Sequence, residues 1–381
     1  MNRYAAAVSG HPLATHAVGE VAGEILDALG GATPDLLVWF VSPHHVGALE
    51  DIHRALGSLL RPRTMIATTV VTVIGGSSEI EDAPGLSAFA AVLPDHRITP
   101  VRLTAADAPD GPHLVGWPDH LDDAHTLLVL GDPFTLPPAL LLDGAAVRAP
   151  SIRIIGGLAS AGARPGVNRL VLDDGIHHEG AVALAVSGGP PIGTVVSQGC
   201  RPIGEPFTVT ASHGQFIEAL GGVPALERLQ ATAAAATEAE RDLLRRGVHL
   251  GVAVDEQRDE LGRGDFLIRN VIGGDRGTGA IAVGAPIEVG TTVRFQVRDA
   301  ASADEDLALM LGGEAGAAAL LFTCNGRGSH LFGEADHDAL AVQGALGPIP
   351  LAGMACAGEF GPVGRGNHLH GFTASIALFP A

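Results

Sequence analysis

One plan occurs three times along the chain, and it restricts the fold more than any other feature. An apolar run leads into a polar or Gly-rich loop, a helical stretch, a second apolar run and a turn. In the first copy Leu36-Leu37-Val38-Trp39-Phe40-Val41 is short enough for a buried strand. The loop Ser42-Pro43-His44-His45 follows, then Leu49, Ile52, Leu56, Leu59 and Leu60 on one helical face, then Met65-Ile66-Ala67. The second copy runs from Leu127-Leu128-Val129-Leu130 through Gly131-Asp132-Pro133 and a helix near 137–147 to Ile152-Arg153-Ile154-Ile155. The third has Ala318-Ala319-Leu320-Leu321-Phe322, the loop Thr323-Cys324-Asn325-Gly326-Arg327-Gly328, a helix near 336–344 and a strand near 349–352.

The turns after the second strands are more alike than the strands. Gly157-Leu158-Ala159-Ser160-Ala161-Gly162 and Gly353-Met354-Ala355-Cys356-Ala357-Gly358 share the pattern Gly-apolar-Ala-[Ser/Cys]-Ala-Gly. The first copy offers Thr69-Val70-Val71-Thr72-Val73-Ile74, which sets Thr72 opposite Ser160 and Cys356 but lacks the glycines. Further strands close each copy, at 86–92, at 170–172 with 181–186 and 193–197, and at 371–378. The expected fold class is therefore α/β: layered mixed sheets with covering helices, built from three degenerate strand-helix-strand units. Between the second and third copies, Pro224 opens an Ala-rich helix expected to run to about Arg246, with Gly247 placed to stop it. Strands at 250–254, 265–271, 280–283 and 292–297 come next.

Composition excludes several functions. The 381 residues carry 23 basic and 42 acidic side chains, a net charge of −19, which opposes binding to nucleic acid or an anionic membrane through bulk electrostatics. Every basic residue is arginine. Without lysine there is no Schiff-base nucleophile, P-loop lysine or kinase strand lysine. Cys200, Cys324 and Cys356 are few and widely spaced, which argues against a disulfide framework or a Cys-rich zinc site and fits a reducing cytoplasm. The amino end has too short an apolar run for a signal peptide, and no stretch reaches membrane-span length.

Several stretches resemble the FIST domains (F-box and intracellular signal transduction proteins). They are Ile154-Ile155-Gly156-Gly157-Leu158-Ala159-Ser160, Glu179-Gly180-Ala181-Val182 and Gly264-Asp265-Phe266-Leu267-Ile268-Arg269. The most specific is Gly358-Glu359-Phe360-Gly361-Pro362 followed by His370-Gly371-Phe372-Thr373. The resemblance covers the chain from about Leu36 onward. It implies an amino-terminal part at 1–212, a carboxy-terminal part at 213–381, and a cytoplasmic sensor for a small polar ligand, amino acids among the candidates. No signalling segment is attached, so a separate signalling protein is the expected partner. The family often carries a Gly-Cys-Ser-Thr-like turn in its first unit, where this chain reads Thr68-Thr69-Val70-Val71-Thr72.

Open α/β sheets bind ligands at the carboxyl ends of their strands. Repeat logic then gathers Asp132, Gly156, Gly157 and Ser160 from the second copy, and Asn325, Arg327, Cys356 and Glu359 from the third. Arg327 is suited to pair with a ligand carboxylate and Glu359 to hold an ammonium. The same glycines are equally accounted for by tight turns and strand–helix packing. An alternative is a Cys-dependent hydrolase or acyl-transfer enzyme using Cys356, with His368 or His370 as base. The turn at Ser160 is one residue too long for a nucleophile elbow, and Gly262-Arg263-Gly264, Gly326-Arg327-Gly328 and Gly364-Arg365-Gly366 lack the third glycine of a dinucleotide fingerprint. His44-His45 and His177-His178 lack chelating spacing, and Asp173-Asp174-Gly175 reads as a hairpin turn. Neither a metal nor a cofactor is expected. Asp304-Glu305-Asp306 is expected to start a helix.

Overall fold

A computed structural model describes residues 1–109, 111–121, 123–257, 261 and 264–381. Gly262 and Arg263 of the first Gly-Arg-Gly triplet lie outside them. The chain forms two compact units: Met1–Val196 with Met310–Leu369 and Thr373–Ala381, and Ser197–Leu309 with His370–Phe372. The first unit draws on both sides of the 212/213 division.

Three mixed sheets of the first unit each hold one parallel pair. Leu36–Val41 pairs parallel with Thr64–Thr69 across the helix Leu49–Leu60. Ala124–Gly131 pairs with Arg153–Leu158 across Pro138–Arg148. Ala318–Cys324 pairs with Leu351–Cys356 across His337–Leu346. An antiparallel strand flanks the first member of each pair: Leu86–Val92, Ala181–Gly188 and Thr373–Phe379 respectively. The third parallel pair extends past the expected 349–352 because Met354, Ala355 and Cys356 continue its ladder.

After each pair the chain crosses into a different sheet. The strands Thr72–Gly75 and Ser78–Glu81, after the first pair, join the third sheet, where Gly75 faces Ala352. Leu170–Leu172, after the second pair, joins the first sheet beside Thr64–Thr69. Glu359–Val363, after the third pair, joins the second sheet, where Phe360 faces Gly156. Each sheet is thus completed by a segment from another, in a closed cycle. Asp173 takes a positive φ of 47° between Leu170–Leu172 and Gly175–His177, the hairpin turn expected there.

Strand alternation divides the core. Leu36, Val38 and Phe40 face a cluster that also takes Leu128, Ile155, Leu320, Phe322 and Met354, so all three sheets contribute to it. Leu37, Trp39 and Val41 face the other way, against Ile52, Leu56 and Leu60 of the helix. Leu59, expected on that buried face, is 48% exposed, in the last turn of the helix. An amino-terminal strand, Arg3–Ser9, and a helix, Ala14–Ala28, complete this layer.

In the second unit the strands run in the order Thr292–Arg298, Phe207–His213, Phe216–Leu220, Ile281–Val283, Phe266–Gly274, His249–Ala253, and the last pairs back with the first. Closure removes the open edges. Val209, Ile217, Leu250, Val283, Val293 and Phe295 fill the interior. The single helix expected from Pro224 to about Arg246 is two, Ala225–Ala235 and Glu238–Arg246. Thr237 restarts it: its hydroxyl accepts from the Glu240 N–H, and the Glu240 carboxylate accepts from the Thr237 N–H, a capping box. Asp304, Glu305 and Asp306 lie inside the helix Ala300–Leu311 rather than at its start. Asp306 there accepts from the Ser197 hydroxyl and the Gln198 N–H.

Candidate functional site

Because each sheet borrows from another, the carboxyl ends of the three second strands meet. The Val71 N–H donates to Ser160 Oγ at 3.0 Å, and that hydroxyl donates to the Ala355 carbonyl at 2.6 Å. One serine therefore ties the first, second and third turns together. Beside this knot opens a cavity of about 200 Å³, lined by Val71, Thr72, Glu79, Glu81 and Asp82 from the first copy and by Thr323, Cys324, Asn325, Arg327, Gly328, His330 and Ala355 from the third.

The lining is held by charge. Arg327 is fully buried, and its Nε and Nη2 donate to the two carboxylate oxygens of Asp338 at 2.6 and 2.8 Å. Burial alone would raise the Asp338 pKa, but the Arg327 charge and its hydrogen bonds overturn that and hold it at about 2. For Arg327 burial works downward, and the Asp338 charge lifts its pKa above the ordinary value. The guanidinium also lies 5.2 Å from the Phe332 ring centre.

Glu79 links the borrowed strand to the same place. It is 6% exposed, its backbone N–H donates to Asp336 at 2.6 Å, and its carboxylate accepts from the Ala339 N–H at 2.8 Å. It thereby caps the amino end of His337–Leu346 from outside that helix. Burial first, and the Asp338 charge second, push its pKa up to about 7. Glu81 clasps the other side of the loop, accepting from the Ser329 N–H and hydroxyl. Gly328 is required there: its φ is +60°, and a Cβ would stand 2.5 Å from Glu81 Oε1. Asp82, at the rim, has a positive φ of 47°.

Of the residues singled out in the sequence, Asn325 and Arg327 line the cavity, and Ser160 stands one hydrogen bond behind it. The partners found for Arg327 and Glu359 are protein groups rather than open space. Arg327 holds Asp338, and Glu359, with no exposed surface, accepts from the Thr373 hydroxyl at 2.7 Å. Asp132, equally buried, accepts from Asn168 Nδ2 at 2.8 Å and from the Thr135 hydroxyl at 2.7 Å. Gly156 serves strand pairing, since a Cβ there would lie 2.0 Å from the Val129 carbonyl oxygen. Gly157 makes room for Cys356, whose Sγ would be 2.2 Å from an added Cβ. Cys356 is fully buried, and burial pushes its thiol pKa well up, the reverse of what activates a nucleophile. Cys324, not Cys356, lines the cavity.

Sequence reasoning missed Glu79, Glu81 and Asp82. The signal available was Thr72, which the repeat set opposite Ser160 and which opens the strand pair carrying Glu79 and Glu81, with Asp82 directly after it. Among the described residues no group of His, Cys, Asp and Glu is arranged to hold a metal ion, and no helix is long and apolar enough to cross a membrane.

Comparison with known proteins agrees with the sequence resemblance. An uncharacterized protein of Mycobacterium tuberculosis (strain H37Rv) is 40% identical over 385 residues, covering 99% of this chain and 99% of that one. An uncharacterized protein of Mycobacterium bovis is 40% identical over 377 residues, covering 97% and 96%. A cyanuric acid hydrolase structure from A. caulinodans aligns over 100% of both chains, but at 11% identity and a TM-score of 0.32 it is too distant to inform fold or function. The family model of the FIST N domain matches residues 35–223, and that of the FIST C domain matches 225–362. The chain belongs to the FIST family, whose domains are linked to signalling and small-ligand sensing.

Proposed function

We propose that this protein is a cytoplasmic, sensor-like binder of a small polar molecule, and that the ligand occupies the cavity beside Ser160. The observation that carries this reading is the cavity itself: about 200 Å³ of space bordered by Thr72, Glu79, Glu81, Asp82, Thr323 and Asn325 at the meeting point of the turns. In an α/β protein the carboxyl ends of strands are where ligands are held. An amino acid suits the lining. Its ammonium is drawn to Glu81 and Asp82, while Asn325 and the two threonine hydroxyls offer hydrogen bonds to its other end. Arg327 shapes the wall through Asp338 and contributes positive potential rather than a free fork. Ligand occupancy is passed to a separate signalling protein.

A thermal-shift screen against amino acids, short amines, short carboxylates and sugars tests the reading. A ligand at 100 times its dissociation constant adds about 2.7 kcal/mol of stability. A saturable shift from one class, lost in Asn325→Ala, is the expected outcome. A flat panel, or a shift that survives in the variant, removes the cavity as the site.

A further inference from the structure

We propose that the groove between the helices Ala225–Ala235 and Glu238–Arg246 is the docking site for an acidic amphipathic helix of a partner protein. The groove has a volume of about 270 Å³. Leu229, Ala233, Leu244 and Val248 form its floor, and Arg241 and Arg245 stand exposed at its rim. The helix Glu238–Arg246 has no fully buried residue, so its apolar stripe is left partly uncovered by its own unit.

Charge decides the occupant. The lining holds two arginines and no carboxylate, in a chain whose net charge is −19. Arg241 makes no side-chain hydrogen bond or ion pair with the described residues. Among the described residues Arg245 pairs only with Asp242, a neighbour on the same helix, and both are more than half exposed. Such a pair holds its arginine weakly and releases it readily. Arg241 and Arg245 are four residues apart, about 6 Å along the helix axis. That spacing matches carboxylates one turn apart on a helix lying along the groove, with its apolar residues at i, i+3 or i+4, and i+7 against Leu229, Leu244 and Val248. A second copy of this acidic chain is a poorer match to a cationic rim unless it presents such a helix. The groove and the ligand cavity share no lining residue, so the two proposals stand or fall separately.

The test is fluorescence anisotropy of a labelled amphipathic peptide of about 18 residues, with leucines at that spacing and glutamates on both flanks. Its counterpart replaces every glutamate by lysine. The full-length protein is expected to bind the acidic peptide, with affinity falling as salt rises, and to ignore the lysine peptide. Arg241→Glu with Arg245→Glu should weaken binding at least tenfold while circular dichroism and Tm stay unchanged. Should that pair unfold the protein, Arg241→Gln alone still lowers affinity and its salt dependence. Ala233→Arg, which fills the floor, should abolish binding. No binding, equal binding of the lysine peptide, or insensitivity to these variants overturns the proposal. So does concentration-dependent self-association lost in the same variants, which assigns the groove to a second copy.

Discussion

Two junctions in the first unit use the same device and arrive at opposite results. Where Arg153–Leu158 meets the third copy, Gly157 presses on Cys356 so closely that no side chain fits between them. Where the segment after Thr64–Thr69 meets the third copy, Glu79, Glu81 and Asp82 face the loop Cys324–His330 and leave a cavity. At the first junction Gly157 and Cys356 are in tight contact, with the buried Glu359 paired opposite Gly157 and held by the Thr373 hydroxyl. The second is charged, holds a buried ion pair, and keeps a positive-φ aspartate at its rim. Strand exchange thus closes the first junction tightly and leaves space at the second, where a buried ion pair and the acidic lining add a cost in desolvation. Sites of function are where such costs are tolerated.

The comparison breaks most visibly at the ion pair. Arg327→Met should cost about 3–5 kcal/mol in urea unfolding because it leaves the fully buried Asp338 without its cation. Restoring charge balance with Arg327→Met plus Asp338→Leu should recover most of that loss. If the double variant is no better than the single one, the pair is not the main brace of the loop.

Glu79 sets the next effect, on the order of 3 kcal/mol, from the difference between its ordinary pKa of 4.5 and about 7 in the fold. The folded state binds the proton more tightly than the unfolded chain does. Stability contributed at Glu79 is therefore highest below about pH 4.5, falls as pH rises toward 7, and levels off above. Asp338 acts in the opposite sense, its contribution being lost as pH falls from 3.8 toward 2. Unfolding free energy measured from pH 5 to 8 should decline in the wild type and lose much of that decline in Glu79→Gln. An unchanged slope in the variant would move the effect elsewhere.

At the tightly packed junction Gly157→Ala should cost about 1–3 kcal/mol, since its Cβ collides with Cys356 Sγ. Adding Cys356→Ala should relieve part of that penalty, and strict additivity in the cycle would contradict the packing described. Thiol chemistry sharpens the contrast with no change in stability. Under native conditions iodoacetamide should label Cys324 and spare Cys356 until the protein unfolds. The smallest stability effect belongs to Asn325→Ala, within about 0.5 kcal/mol for an exposed side chain.

Much of the fold was legible where burial on both faces forces a continuous apolar run. Leu36–Val41, Ala124–Gly131 and Ala318–Cys324 announced themselves that way, as did the amphipathic helix Leu49–Leu60. The strand Arg3–Ser9 did not, because its alternating small residues resemble a linker as much as a half-buried strand. The break at Thr237 lay in plain view as a Thr-x-x-Glu box, yet the surrounding alanines argued more loudly for continuity. Barrel closure between His249–Ala253 and Thr292–Arg298 is a long-range pairing that local pattern does not encode. The site was half legible for the same reason. Repeats brought out Ser160, Asn325 and Arg327, all at strand ends, but the acidic residues arrive on a segment whose pairing partner, Leu351–Cys356, is remote in sequence.

The most direct test of the central claim is the dissociation constant of the best ligand from the screen, measured by calorimetry on wild type, Asn325→Ala and Gly157→Ala at a temperature where all three are folded. The account predicts that Asn325→Ala, nearly silent in stability, weakens binding at least tenfold, while Gly157→Ala, costly in stability, binds like the wild type. The reverse pattern, with binding lost at the packed junction and kept at the polar one, would contradict it.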